Sequence, residues 1–534
     1  MTATPAGTTN AATTTGAPTR PAGLTADFLD SLVARVPGST GNTWKLTEVY
    51  TGETLVELPQ SSPSDIEAAF AKARAAQRLW AQWPLAKRLE VFDRAHTLLV
   101  DNALTTADLI QAESGKNRRM AIEETCDPPM VISHYLRRAP KVLAPTKRGG
   151  PIPFVSTSTE VHVPKGVVGI IAPWNFPFAT GLSDAIPALM AGNAVVVKPD
   201  NKTALSPLFG IRLLEEAGLP EGLFQVVCGE GPDVGPTLID SADYVMFTGS
   251  TATGRVIGER AGRNLIGCCL ELGGKNPMIV LDDVNVEEWV EGAAFGVFGN
   301  TGQICMHIER IYLPEHRYDE LRDAFVQRAS TMTMGASYDF GPELGSLVSP
   351  DHCDRVAGHV EDAVAKGATV LTGGRARPDV GPAFFEPTVL EGVTNQMLAG
   401  HTETFGPVVA LHRYRSVDEA ITLANDTDYG LNASVWGTDL ERAEAVAARI
   451  ESGNVNINDA LATAYASKGT PSGGVKNSGV GARHGDQGLL KYTDVKNVAV
   501  LKKQVLGARP GQDYDAYVKQ MLSSLKLMKR LRVR

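Results

Sequence analysis

Residues 244–263 read Y-V-M-F-T-G-S-T-A-T-G-R-V-I-G-E-R-A-G-R. Four apolar residues, Tyr244–Phe247, run into a Gly249-Ser250 turn. A helical pattern then opens at Thr251 and lasts to Arg263. A short continuous apolar run that feeds directly into a helix predicts a strand–turn–helix corner of a buried sheet. Four further runs flank it: Val167–Ala172, Ala194–Lys198, Phe224–Cys228 and Leu265–Leu270. Helical patterns such as Thr203–Ala217 fill the gaps. Parallel strands need a crossover, so this alternation predicts a doubly wound parallel α/β sheet that binds ligands at the carboxyl ends of its strands.

The same reading extends in both directions. Amphipathic patterns over Ser62–Trp83, Leu85–Leu104 and Met120–Leu136 predict a helical layer ahead of the sheet. A second α/β alternation occupies about 284–475. Its predicted helices are Val286–Phe298, Tyr318–Thr331, Asp351–Ala365, Asp418–Asn425 and Leu440–Ile450. Its predicted strands are Ile311–Leu313, Thr369–Leu371, Val408–Tyr414 and Ala433–Trp436. Alternation returns at Lys491–Lys503 and predicts an edge strand. The tail from Asp513 carries six basic and two acidic residues, with Tyr517, Met521, Leu525 and Met528 on one helix face. It reads as a packing or solvated helix, with a membrane-surface helix as the alternative. Residues 1–24 are mostly Ala, Thr, Pro and Gly, lack the apolar core of a signal peptide, and predict a disordered leader.

The 534 residues carry a net charge of −9 and a globular composition, which disfavours a nucleic-acid partner. No stretch approaches the ~18 apolar residues of a membrane span. Six cysteines are too few to staple a chain of this size; they predict reduced thiols in a cytoplasm, with one of them a candidate reagent. Around the predicted sheet, Gly249–Gly254 offers glycines and helix amides to a phosphate. Cys305, in Asn-Thr-Gly-Gln-Ile-Cys-Met (300–306), is a candidate nucleophile. Glu271, ending the fifth strand run, is a candidate base. Asn175, in the proline-bracketed turn P-W-N-F-P (173–177), could face an oxyanion. Each signal has a bland counterpart: a buried inert thiol, a surface carboxylate, a rigid loop, an ordinary strand–helix corner. Three of them fall at strand carboxyl ends of one sheet, and the cysteine lies just past the next helix.

Seven motifs in order carry a resemblance to the aldehyde dehydrogenase superfamily over about residues 45–505. They are P-W-N-F-P (173–177), V-V-K-P (196–199), F-T-G-S-T-x-x-G (247–254), E-L-G-G-K (271–275), G-Q-x-C (302–305), E-x-F-G-P-V (403–408) and P-x-G-G-x-K-x-S-G (471–479). Glu271 and Cys305 stand 34 residues apart, as in that family. The resemblance implies NAD(P)-dependent oxidation of an aldehyde to a carboxylic acid. Cys305 would be the nucleophile, Asn175 and the Cys305 N–H the oxyanion donors, and Glu271 the base that activates water. Trp174, Lys198, Asp200, Asn201, Gly249, Ser250, Gly254, Leu272, Glu403 and Phe405 would bind the cofactor. No metal is implied. It also implies a Rossmann-like cofactor domain over 25–283, a catalytic α/β domain over 284–475, and a return segment over 476–510. A basic tail over 511–534 would follow. A small β oligomerisation arm would use 145–165 and 490–505, giving a homodimer or homotetramer.

The branch most similar to this chain is the bacterial succinate-semialdehyde dehydrogenases, which makes succinic semialdehyde the expected substrate. That branch grips the substrate carboxylate with two arginines; Ser183 and Gly299 stand at those positions here. Ser467, Lys468 and His307 are the expected replacements. NAD-preferring relatives often carry Glu where this chain has Asn201, and removing that carboxylate favours NADP, with NAD possible. His307 stands where some relatives have a second, redox-regulating cysteine, so no Cys305 disulfide is expected. The alternatives are an uncharged aldehyde, a CoA-acylating relative, or a non-catalytic binding protein.

Overall fold

The structure is a computed structural model and describes residues 13–14, 18–150, 155–502, 507–508 and 510–532. Its first large sheet has six strands in the order Gly479–Val480, Gly267–Glu271, Tyr244–Thr248, Val167–Ile171, Ala194–Lys198, Phe224–Val226. The last five are parallel, and Gly479–Val480 runs antiparallel against Leu270–Glu271. Chain order reverses between Val167–Ile171 and Tyr244–Thr248, which makes their carboxyl ends the switch point where such sheets bind ligands. The strands are nearly all buried because helices cover both faces.

The predicted helix Thr251–Arg263 is found at those bounds, capped by Ser250, whose hydroxyl accepts from Thr253 N. The fifth strand starts at Gly267 rather than Leu265. Leu265 has φ +55° and is 94 % exposed, closing the preceding helix instead of entering the sheet. The expected helix Leu85–Leu104 is two helices, Leu85–Asp101 and Ala103–Ser114.

The second large sheet has seven strands, in the order Thr369–Thr372, Thr388–Glu391, Val408–Tyr414, Ile308–Pro314, Asn276–Val280, Asn432–Trp436, Asn454–Ile457. All neighbours pair in parallel except Thr369–Thr372 with Thr388–Glu391. Asn276–Val280 is central and absent from the sequence reading because Pro277 argues against a central strand. The sheet absorbs that proline with a register shift between Asn276 and Pro277, and pairing with Asn432–Trp436 begins only at Met278.

A separate three-stranded sheet joins distant parts of the chain. Thr493–Leu501 pairs with Ser156–Pro164 over nine residues, and Thr146–Gly149 lies on the other side. Val495, Val498, Val500 and Leu501 are exposed on it. The tail forms a helix, Tyr514–Leu531. The leader expectation over 1–24 needs correction at its end. Leu24 is buried, and Arg20 pairs with Glu48 and Glu53, so residues 18–24 pack on the body. Residues 1–12 and 15–17 of that leader lie outside the described residues.

Candidate active site

Cys305 follows the helix Val286–Phe298 through a tight turn, Gly299–Gly302. Asn300 and Thr301 hold φ near +50°, a strained setting for a β-branched residue. Gly302, at φ +71°, passes so close to the Gly406 carbonyl that a Cβ would sit 2.0 Å from it. The turn is fastened from several sides. Gln303 donates to Asn300 O and Ser346 O and accepts from Val348 N. The amide of Asn276 donates to Cys305 O and His307 O.

Asn175, 6 % exposed, spends one amide hydrogen on Gln303 O at 3.0 Å, which ties the first-strand turn to the cysteine turn. Its amide carries a second hydrogen. Lys116, fully buried, donates to Asn175 O at 2.8 Å and pairs with Glu124. Glu124 in turn accepts from Phe178 N and Ala179 N, the first amides of the helix after P-W-N-F-P. The Asn175 loop is thus held by a buried ion pair from the helix Arg118–Val142.

Cys305 and Asn175 share the wall of a cavity of about 350 Å³. Met120, Phe176, Phe295, Ile304, Leu461 and Tyr465 make that wall largely apolar. Lys468 and Arg483 supply two cations to it, and Glu123, Glu124 and Asp127 supply carboxylates. Burial pushes the Cys305 thiol up to about 12, so it rests protonated and needs a base. Glu271 ends its strand beside this cavity. Burial lifts its carboxyl to about 7, against the pull of Arg483 and Lys491, and that value suits a general base near neutrality.

The three residues expected to replace the missing arginines fare differently. Lys468 lines the cavity, but all three of its donors are engaged, by Asp127 at 2.5 Å, Tyr465 O and His484. Asp127 also accepts from Ser183, one of the positions vacated by arginine. Ser467 is exposed, its hydroxyl turned back to Thr463 O, and it does not line the cavity. His307 is fully buried beneath Phe405 and faces Glu309 at 3.1 Å, not the cavity. Both were expected at the substrate from their closeness in sequence to a motif. Ser467 ends a short helix whose turn takes its hydroxyl, and His307 leads into the central strand Ile308–Pro314.

The other side of the cleft carries the expected nucleotide-binding set. Lys198 ends the second strand, 6 % exposed, its ammonium making a single hydrogen bond among the described residues, to Pro199 O. Its remaining donors, and the amides of the Ser250-capped helix, suit the hydroxyls and phosphates of a dinucleotide. A Cβ on Gly254 would strike Leu272 at 2.4 Å, and that glycine lets the helix pack close against the fifth strand. Glu403 accepts from Gly274 N at 3.0 Å, and burial with Glu309 nearby raises it to about 7. Phe405, at φ +57°, sits edge-on to Trp174 at 5.4 Å. Glu309 holds that loop by accepting from Thr404 N and Phe405 N and pairing with Lys275. Asp200 turns onto its own backbone to cap Lys202 N. Asn201 is spent on Gln60, Glu230 and Gly229 N. Asn201 puts an amide rather than a carboxylate at its position, and Asp200 has one oxygen engaged by Lys202 N.

Lys116, Glu124, Asp127 and Arg483 escaped the sequence reading. The one signal for the acidic pair was Glu124 and Asp127 spaced three apart on a helix face that is otherwise apolar. Among the described residues no group of three His, Cys, Asp or Glu converges as a metal site, and all six cysteines are free. No helix among them is long and apolar enough to cross a membrane.

Comparison with known proteins agrees with this geometry. Residues 36–498 match the aldehyde dehydrogenase family. A Mycolicibacterium smegmatis protein named "Putative succinate-semialdehyde dehydrogenase (NADP(+))" is 47 % identical over 513 residues, covering 96 % of this chain and 99 % of the relative. A 3-sulfolactaldehyde dehydrogenase of Pseudomonas putida is 34 % identical, covering 89 % and 96 %. Among solved structures, a Staphylococcus aureus betaine aldehyde dehydrogenase in complex with NAD+ superposes with a TM-score of 0.85 at 31 % identity, covering 90 % of this chain and 97 % of that one. The chain belongs to the aldehyde dehydrogenase family and is an NAD(P)-dependent aldehyde dehydrogenase.

Proposed function

We propose that the chain oxidises succinic semialdehyde to succinate, with Cys305 as nucleophile, Asn175 as oxyanion donor, Glu271 as base and NADP as the preferred acceptor. The observation that carries the chemistry is Cys305 and the Asn175 amide on one cavity wall, with Glu271 alongside. Glu271 takes the Cys305 proton as sulfur adds to the aldehyde carbon. The free Asn175 N–H and the Cys305 backbone N–H hold the resulting oxyanion. A bound nicotinamide nucleotide supplies the hydride acceptor that leaves an acyl thioester on Cys305. Glu271 gives the first proton up to solvent, and water then attacks the thioester carbon and passes a proton to the carboxylate so restored. The C–S bond breaks, the acid leaves, and the proton returns to the sulfur.

Lys198, Ser250 and the amides after it would hold the phosphates and ribose, Glu403 the nicotinamide ribose, and Phe405 and Trp174 the ring side. The preference for NADP rests on Asn201, which puts an amide in place of a carboxylate after the second strand, with Lys198 and Lys202 flanking it. The names of the two curated relatives denote aldehydes with an acidic group at the far end. Lys468 and Arg483 are the cations on the cavity wall that could meet such a tail, each in competition with its own carboxylate partner, Asp127 and Asp184. The apolar remainder of the wall favours a second reading, an uncharged aliphatic or aromatic aldehyde.

Steady-state rates on an aldehyde panel separate the two. Succinic semialdehyde is expected to exceed uncharged aldehydes of equal length in kcat/KM, and NADP to exceed NAD. No advantage for the carboxylated substrate gives the second reading. Equal or better efficiency with NAD removes the cofactor preference.

A further inference from the structure

Arg483 belongs to none of the seven motifs, yet it stands beside the proposed base. The segment that delivers it is fixed to the strand that ends in Glu271. Gly479–Val480 pairs antiparallel with Leu270–Glu271, and Arg483 itself exchanges both backbone hydrogen bonds with Ser472. His484, at φ +59°, turns the chain immediately afterwards. The guanidinium is 8 % exposed in its residue and held as a fork. Nε and Nη2 donate to Asp184 at 3.0–3.2 Å, and Nη2 also donates to Thr248, the residue paired with Glu271 across the sheet. The third nitrogen, Nη1, makes no hydrogen bond among the described residues and lies 3.7 Å from Glu271 Oε2.

That separation matters. A bidentate arginine would consume the carboxylate lone pairs that a base needs. At 3.7 Å the guanidinium favours the charged carboxylate while leaving its oxygens free to accept from a thiol or a water. An arginine cannot lose its own charge at working pH, so the bias is permanent. The other groups facing Glu271 are few. Lys491 lies 4.0 Å from Asp184 and 3.7 Å from Cys269 Sγ, and Cys269 Sγ lies 4.0 Å from Glu271 Oε1. Asp184 opposes the two cations, and Cys305 stands across the site.

We propose that Arg483 is a positioning residue for Glu271: anchored by Asp184 and Thr248, it biases the carboxylate toward its charged form without itself forming a hydrogen bond to it. The inference rests on the reading of Glu271 as the base, and the experiment separates the two. In the full-length enzyme, the pH dependence of kcat and the first-turnover burst of reduced cofactor are measured for wild type, R483Q, R483K, T248V and E271Q. Wild type is expected to gain rate as pH rises through about 7, where Glu271 ionises. R483Q is expected to move that limb up by about one pH unit while keeping its burst, and R483K to restore most of the shift. T248V removes one anchor of the fork and no charge, and is expected to move the limb up by less than R483Q does, which keeps the test alive if R483Q does not fold. A purely structural Arg483 would lower kcat at every pH and leave the limb in place in both variants, and that result overturns the inference. E271Q, with no base for either the thiol or the water, is expected to lose both the burst and the steady-state rate. Full turnover by E271Q removes the base itself, and the Arg483 inference with it; an inactive E271Q beside an unmoved R483Q limb removes the Arg483 inference alone.

Discussion

The two sides of the cleft are equally buried and differently spent. On the cysteine side nearly every polar group already has partners inside the chain. Lys468 uses all three donors, Lys116 bridges Glu124 and Asn175 O, and Gln303 is engaged through both its oxygen and its nitrogen. On the nucleotide side Lys198 is as deeply buried as Lys468 and has one hydrogen bond, to its neighbour's carbonyl. Burying an ammonium with so few partners costs stability unless something else completes its shell. The difference separates two tasks. The reacting groups are preorganised before substrate arrives, so no reorganisation is needed at the moment of reaction. The nucleotide groups keep donors in reserve for a ligand that binds and leaves in every cycle.

The comparison breaks first at Cys305. If the cysteine side is the reacting side, Cys305→Ala abolishes aldehyde-dependent reduction of NADP, by ~10³-fold or more, and leaves cofactor binding intact by fluorescence titration. A variant that keeps turnover would move the chemistry elsewhere in the cleft. Asn175→Ala comes next. One amide hydrogen on Gln303 O is structural, and the second is the proposed oxyanion donor. Its loss is expected to lower kcat about 10²–10³-fold with a smaller change in KM. A change confined to KM would make Asn175 a substrate contact instead.

The opposite split is expected at Lys198. Lys198→Met keeps the length of the stem and removes the reserve donors. A hydrogen bond to a charged group is worth about 1.5–3 kcal/mol, so KM for the cofactor should rise about 10–100-fold with kcat less affected. Isothermal titration with NADP, without aldehyde, checks the binding part directly. Unchanged affinity would mean that Lys198 is an isolated buried cation with no ligand to complete it.

These contrasts also mark how far the sequence carries the reading. Glu271, Asn175 and Gly249 were legible because each lies one to three residues past an apolar run whose strand character is plain. Cys305 needed its motif, since a lone cysteine after a helix has no such frame. Thr251–Arg263 and Val286–Phe298 were found at their expected bounds because periodicity and caps agree there. Asn276–Val280 was hidden by Pro277, whose cost the sheet meets with a register shift. Arg483 and Lys116 were hidden for another reason. Asp184, which anchors Arg483, and the Asn175 carbonyl that Lys116 holds lie 299 and 59 residues away in sequence, and nothing local in a buried cation says which of them it meets.

The smallest effect tests nearness in sequence against nearness in space. Ser467 and Lys468 are adjacent, and both were expected to touch substrate. Only Lys468 reaches the cavity; Ser467 is exposed and bonded to Thr463 O, four residues back in its own short helix. An exposed hydroxyl that caps its own turn contributes at most a few tenths of a kcal/mol, about the scale of ordinary surface substitutions. Ser467→Ala is therefore expected to change kcat/KM for succinic semialdehyde less than about two-fold and to leave the thermal midpoint within about 1 °C. A tenfold rise in KM for that substrate, absent for an uncharged aldehyde of equal length, would mean that the Ala462–Ala466 helix unwinds and turns the Ser467 hydroxyl inward when an anionic tail binds. The cavity wall would then be assembled by the substrate rather than built in advance, and the cysteine side would resemble the nucleotide side after all.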